Sequence, residues 1–418
     1  MNSESPPTRS TSWKWWITGL LLLATTINYM DRQTLASASE EVKRELFQGQ
    51  NLPYGNIELG FGWAFALGSL VFGFLADRVK VYLLYPAVLA GWSLMGIASG
   101  LSQGATSLLV CRIALGFFEA GHWPCALKTT FTLLNEKDRT MGNSILQGGA
   151  SVGAIITPQI MRMMMTDAPG SWRGAFVAVG AAGLLWIVLW FACLRPRDLN
   201  HAPAAVAKVG GLDLLPILRS GKFWAVALMI IGGQTVWQLN RVWLVSFLQD
   251  GRGYARDSAL NFSSFYYIAT DIGCFLAGGI SLWIVRRGTT PHNARRTVYL
   301  GACMLTSLAI FIPWLGRGPL LLAVLLLIGA GALALFPCYY SFVQELSDKY
   351  VGRLTGLLSM WVWATTSPMH SAFGKYADGI ADPAKRYNLG LVIAGLAPWI
   401  GVIALKFLWR KSEPPAAV

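Results

Sequence analysis

Charge is the scarcest property of this sequence. Only 13% of its 418 residues are Asp, Glu, Lys or Arg. Soluble domains carry about 25%, so there are too few charges here to cover a water-facing surface. Acidic side chains are the rarer sign, 21 against 34 basic ones. Cysteine occurs six times, as Cys111, Cys125, Cys193, Cys274, Cys303 and Cys338. All six fall inside apolar segments without paired spacing. They read as small buried hydrophobes, not as a disulfide or metal set. No Walker sequence is present to cradle a nucleotide phosphate. There is no zinc-ligand spacing and no nucleophile elbow. Neither a metal, a cofactor, an enzymatic centre nor ATP drive is expected.

Long apolar runs fill the space that charge leaves. Hydrophobic residues make up 54% of the chain and the mean hydropathy is +0.47. A spanning helix needs roughly 20 mostly apolar residues. Twelve runs qualify: Trp15–Leu35, Leu59–Ala76, Leu83–Ser102, Ser107–Leu134, Gly142–Met164, Gly174–Leu194, Phe223–Leu248, Leu260–Val285, Val298–Trp314, Pro319–Phe342, Gly352–Phe373 and Leu389–Phe407. Lipid offers no partner to free backbone groups, so helices are expected. The first run is too long for a cleaved signal peptide, and no small-residue cleavage site follows it.

The net charge of +13 sets topology and does not point to nucleic acid. Lys and Arg collect in alternate loops, among them Arg78, Lys80, Lys137, Arg139, Arg195, Arg197, Arg286, Arg287, Arg295 and Arg296. The positive-inside rule then places both termini in the cytoplasm. The longest polar interval, residues 195–222, carries Leu214–Leu218 as a candidate interfacial helix. It divides the runs six and six, the plan of a carrier built from two repeated halves. The expected layout is a tail over 1–14, a six-helix bundle over 15–194, a cytoplasmic linker over 195–222, a second bundle over 223–410 and a tail over 411–418. Each half has a basic, glycine-bearing turn after its second helix, Gly73 to Lys80 and Gly278 to Gly288.

Gly73-x-x-x-Asp77-Arg78 resembles the signature loop of the major facilitator superfamily. Lys80 stands at a usual glycine position, and the second copy lacks the acidic residue. Four further stretches narrow the resemblance: Tyr29-Met-Asp31-Arg32; Arg112-x-x-x-Gly116-x-x-Glu119-Ala120-x-x-x-Pro124; Ser171-Trp172-Arg173; and Tyr267 through Asp271 to Gly273. Together they resemble the anion:cation symporter family, which includes proton-coupled carriers of hexuronates and aldonates. The resemblance implies a twelve-helix, two-bundle fold, with Arg32 on a substrate carboxylate and protonation at Asp31 and Glu119.

Charges within spanning segments are costly and usually face a cavity with partners. Asp31 and Arg32 are neighbours, so they project about 100° apart and cannot share a direction. Arg112 and Glu119 are two turns apart on one helical face. Burial opposes the charge of Glu119 while a nearby arginine favours it, a balance suited to proton coupling. A static buried ion pair is the bland alternative. Gln234, Trp237, Gln238 and Arg241 form a polar stripe on the seventh helix. Arg241 could grip an anion through two donors, or pair with Asp271. Gln147, Tyr29 and Tyr267 could bond sugar hydroxyls. His122 and His370 read as structural.

The expectation is a monomeric secondary transporter of the inner membrane, importing a small organic anion, a sugar acid, with protons by alternating access. The alternatives are an organic phosphate/phosphate antiporter and a symporter of an aromatic or sialic acid.

Overall fold

The computed structural model describes residues 11–134, 136–199, 215–346 and 351–409. These are almost entirely helical. The first half comprises α1 Thr11–Ser37, α2 Ser39–Leu46, α3 Asn51–Arg78, α4 Val81–Leu101, α5 Ala105–Glu119, α6 His122–Leu133, α7 Glu136–Met164 and α8 Trp172–Cys193. After the linker come α9 Leu215–Leu218, α10 Gly221–Gln249, α11 Arg256–Arg286, α12 Pro291–Ser307, α13 Pro319–Gln344, α14 Val351–Asp378, α15 Pro383–Arg386, α16 Asn388–Leu396 and α17 Trp399–Phe407.

Twelve spans result, in two pseudo-symmetric six-helix bundles, because α5 with α6 and α16 with α17 each make one interrupted span. The halves repeat their packing. α1 lies on α7, α3 on α5 and α4 on α8. The second half answers with α10 on α14, α11 on α13 and α12 on α16. Across the boundary, α3 packs on α14, α7 on α11 and α1 on α10.

Several expected bounds need correction. The second span begins at Asn51, eight residues before Leu59, and the fifth at Glu136, not Gly142. The fourth is not one helix, since α5 ends at Glu119 and α6 starts at His122. Pro124 has no N–H for the Ala120 carbonyl, which loosens the ladder at the break. The ninth begins at Pro291 and ends in a 3-10 segment, Leu308–Trp314. The interfacial helix is the single turn Leu215–Leu218. Tail 411–418 and most of tail 1–14 lie outside the described residues, as does 200–214 of the linker.

Among the described residues, seven stretches are long and apolar enough to cross a membrane by composition alone: Asn51–Ala76, Val81–Leu101, Trp172–Cys193, Arg256–Arg286, Pro291–Trp314, Pro319–Val343 and Pro383–Phe407. The other five spans are α1, α5 with α6, α7, α10 and α14. Four of these are diluted by polar side chains, and the fourth span is cut short by its break. They carry Arg32, Glu119, Gln159, Arg241 and His370, so these spans supply much of the polar interior.

Hydrogen bonds between the halves run from mid-span to one end of the molecule. At mid-span, Ser151 Oγ donates to Asp271 Oδ1 at 2.8 Å and Gln33 Nε2 to Tyr267 OH at 2.7 Å. At the end, Asp378 accepts from the backbone N–H groups of Asn51 and Leu52, each at 2.7 Å. Lys43 Nζ reaches Asn51 Oδ1 at 2.9 Å and Tyr387 OH at 3.3 Å. Close helix approach makes this seam tight: a Cβ on Gly55 would fall 2.2 Å from the His370 carbonyl oxygen. This is the sealed end.

Candidate functional site

Arg32 is the centre of the polar interior. Its Nε donates to Glu119 Oε2 at 2.7 Å, and both side chains are buried. Aromatic rings surround the guanidinium, with Phe65 at 4.8 Å, Tyr29 and Phe61 at 5.4 Å and Trp363 at 5.6 Å from Cζ. Trp363 belongs to the second half, so both bundles wall this site. Arg32 Nη2 and Glu119 Oε1 are buried without a protein partner.

Asp31 points elsewhere, as its 100° offset from Arg32 requires. A Cβ on Gly96 of α4 would lie 2.9 Å from Asp31 Oδ1. Only glycine leaves room for the carboxylate there. Arg112 does not pair with Glu119, its neighbour along the fourth span. Its Nη1 donates to the Asp31 backbone carbonyl at 3.2 Å, tying α5 to α1.

Arg241 pairs with Glu58 and not with Asp271. Its Nη2 donates to Glu58 Oε2 at 2.7 Å, and its Nε to Gln238 Oε1 at 2.7 Å. Glu58 lies on α3 and Arg241 on α10, so this buried pair crosses between the halves. Glu58 immediately precedes the apolar run Leu59–Ala76, so hydropathy alone leaves it out. Around it, Tyr54 OH donates to the Val242 carbonyl at 3.1 Å, and Trp243 Nε1 to His370 Nδ1 at 3.2 Å.

The structure thus joins Tyr29, Arg32 and Glu119 in one cluster, and Gln238 and Arg241 in a second. Tyr267 OH accepts from Gln33, and its ring lies 6.0 Å from that of Trp237. Gln147 stands apart and exposed, six residues from Gly153, where Tyr29 packs on α7, or about 9 Å of helical rise. Gly73 has open space beside it, and Arg78 folds over its own Phe74 ring at 3.7 Å. The Asp77 side chain lies outside the described residues. His122 is structural, held by Thr25 Oγ1 at 3.0 Å and Tyr85 OH at 2.9 Å.

Two repeated bundles, with charged side chains enclosed where they meet, define a polytopic membrane transporter and not an enzyme. The chain belongs to the major facilitator superfamily, whose sequence profile matches residues 21–366. It is similar to the probable L-galactonate transporter of Escherichia coli strain K12, at 24% identity over 417 residues, 94% of this chain and 88% of that protein. It is likewise similar to the hexuronate transporter of the same strain, at 24% identity over 397 residues, 88% of each chain. A bacterial homologue of the human lysosomal transporter Spinster shares the fold, with a TM-score of 0.79 at 16% identity, covering 96% of this chain and 97% of that one.

Proposed function

We propose that this protein imports a sugar acid, a hexuronate or aldonate, together with protons, by alternating access across the inner membrane. The observation that carries the reading is the buried Arg32–Glu119 pair under its aromatic roof. A guanidinium can hold a carboxylate through two parallel bonds, and Arg32 keeps Nη2 unused by the protein. The incoming carboxylate displaces Glu119 from Arg32. In so enclosed a place, a carboxylate that loses its cation takes up a proton. Anion and proton then enter as a set. Tyr29, Gln238 and Tyr267 read the substrate hydroxyls.

Energetics favour such coupling. A membrane potential of about 100 mV, negative inside, opposes entry of one negative charge by about 2.3 kcal/mol. Two co-transported protons reverse that sign. Asp31 and Glu119 are the two carboxylates that hold them. The alternating charge of the loops supports both termini in the cytoplasm and the sealed end on the outer face, and closure on that face suits a conformation that releases substrate inward. Two relatives named for galactonate and hexuronate support the substrate class. An organic phosphate exchanger is less well supported, because Glu58 occupies the second guanidinium that a dianion clamp would need.

The test is uptake of radiolabelled galactonate, glucuronate and galacturonate into proteoliposomes with an alkaline interior. Accumulation of one of them, abolished by a protonophore, is expected. Failure of all three to accumulate would overturn the substrate class. Accumulation indifferent to the protonophore would overturn the coupling.

A further inference from the structure

Beside the aromatic-walled site, the first half holds a cluster of buried polar atoms without protein partners. Asn28 on α1 is fully buried, and neither the nitrogen nor the oxygen of its amide has a protein partner. Its helix face meets the fourth span. Thr25, three residues earlier, bonds His122, and Arg32, four residues later, bonds Glu119. Asn28 therefore lies between the levels of His122 and Glu119, facing the gap between α5 and α6. Pro124 frees the Ala120 carbonyl in that gap. Asp31 follows three residues on, along the same side of the helix. Asp31 Oδ2, Glu119 Oε1 and Arg112 Nε are also buried without a protein partner. Native interiors satisfy nearly all such groups. Where protein does not, ordered water making two to four hydrogen bonds commonly does.

We propose that Asn28 anchors a short chain of ordered water that links Glu119 to Asp31 and carries protons between them, within the first half and out of contact with the substrate. The proposal rests on the proton-coupled reading above and deepens it. Asp31 faces Gly96 and is turned away from Arg32, so its proton has to travel inside the bundle. An amide suits the post: it donates and accepts at once and does not titrate, so it orients water without trapping the proton. In each transfer, a proton leaves the Glu119 carboxyl for the first water, each water passes one on, and the last gives one to the Asp31 carboxylate. No other atom changes owner.

The charged groups around this path are Arg32 on α1, Arg112 on α5, Arg241 on α10 and Glu58 on α3. His122 and Tyr85 are the nearby titratable groups, bonded to each other. α4 faces Asp31 with Gly96, which also approaches Gly180 of α8, and α7 meets α1 through Gly153.

The test is Asn28→Leu, similar in size but unable to hold water, in proteoliposomes of the full chain. Uptake driven by a pH gradient is expected to fall by about tenfold or more, the scale of a lost proton-transfer step. Exchange of internal for external sugar acid, which returns the carrier loaded, should persist. Asn28→Ser, with a hydroxyl and room for water, should recover most of the driven uptake. Driven uptake by Asn28→Leu within about twofold of wild type would overturn the proposal. If Asn28→Leu loses exchange as well, the path is read from water density in a high-resolution map of the wild-type protein. Density bridging Asn28, Asp31 and Glu119 supports it, and a dry gap overturns it. Failure of the underlying reading looks different, because wild type itself would then show no gradient-driven uptake.

Discussion

Arg32 and Arg241 are both buried arginines bonded to a glutamate at 2.7 Å, yet they join different things. The Arg32 pair lies within one half and moves with it. The Arg241 pair bridges the halves, so under the proposed alternating access it would break when the sealed end opens. Removing one partner of a buried pair leaves a charge uncompensated and costs about 3–5 kcal/mol. Glu58→Ala is therefore expected to destabilise the sealed state by that order. A reporter Ser371→Cys, placed in the seam of a cysteine-free background, should then react faster with a water-soluble thiol reagent. Adding Arg241→Ala should return its rate toward that of the parent, and an unchanged rate in Glu58→Ala would refute the bridging role. Much of this chemistry was legible beforehand. Asp31, Arg32, Arg112 and Glu119 are conspicuous because lipid tolerates so few charges. Glu58 was not, since a hydropathy run drops a charged residue at its edge. The one-turn spacing of Tyr54 and Glu58 just ahead of the run is the signal that could have recovered it, and the structure buries both. The partner of Arg241 was misjudged because pairing across two bundles depends on how they dock, which residue spacing does not encode.

Helix ends do the work of the seam. Asp378, at the end of α14, takes the first two N–H groups of α3 and the Asn51 side chain. It caps a helix that belongs to the other half. A lost cap costs about 1 kcal/mol, so Asp378→Ala should shift the closed-to-open ratio about fivefold toward opening. Spin labels on the outer ends of α3 and α14 would report it as a larger long-distance population. An unaltered distance distribution would mean the cap is incidental. On the same side, α2 is tied to α8 by Glu45, which accepts from Arg173 Nη2 at 2.6 Å and Trp172 Nε1 at 2.8 Å. Partial burial works against its charge, but these bonds outweigh burial and hold Glu45 below its ordinary value of 4.5. A lowered value means the stabilisation is present above pH 4.5 and is lost as the pH falls through the folded value. The melting temperature of Glu45→Gln should lie below that of wild type at neutral pH and converge on it in acid. A constant gap would contradict this. The number and order of spans were legible from apolar runs. The break at Glu119–His122 was not, because a run of hydropathy does not register that Pro124 leaves the Ala120 carbonyl without its partner.

At the scale of the whole molecule, two bundles with the same internal pairings meet along α3–α14, α7–α11 and α1–α10. Their described hydrogen bonds close one end. Such a body can change access by rocking, with Glu58–Arg241, Asp378 and the Gly55 contact released together while Arg32–Glu119 stays intact until substrate arrives. The repeat was visible in the six-and-six division and the paired basic turns. Which end is closed was not, since it is a property of one state and both states share a sequence. In the proposed cycle, substrate exchanges places with Glu119 on Arg32, and Glu119 then takes up a proton. The most direct measurement is proton uptake on sugar-acid binding to the purified protein, from calorimetry in buffers of different ionisation enthalpy. Wild type is predicted to take up about one proton per substrate bound near neutral pH, and Glu119→Gln none. Binding without proton uptake, or the same uptake in Glu119→Gln, would contradict the account.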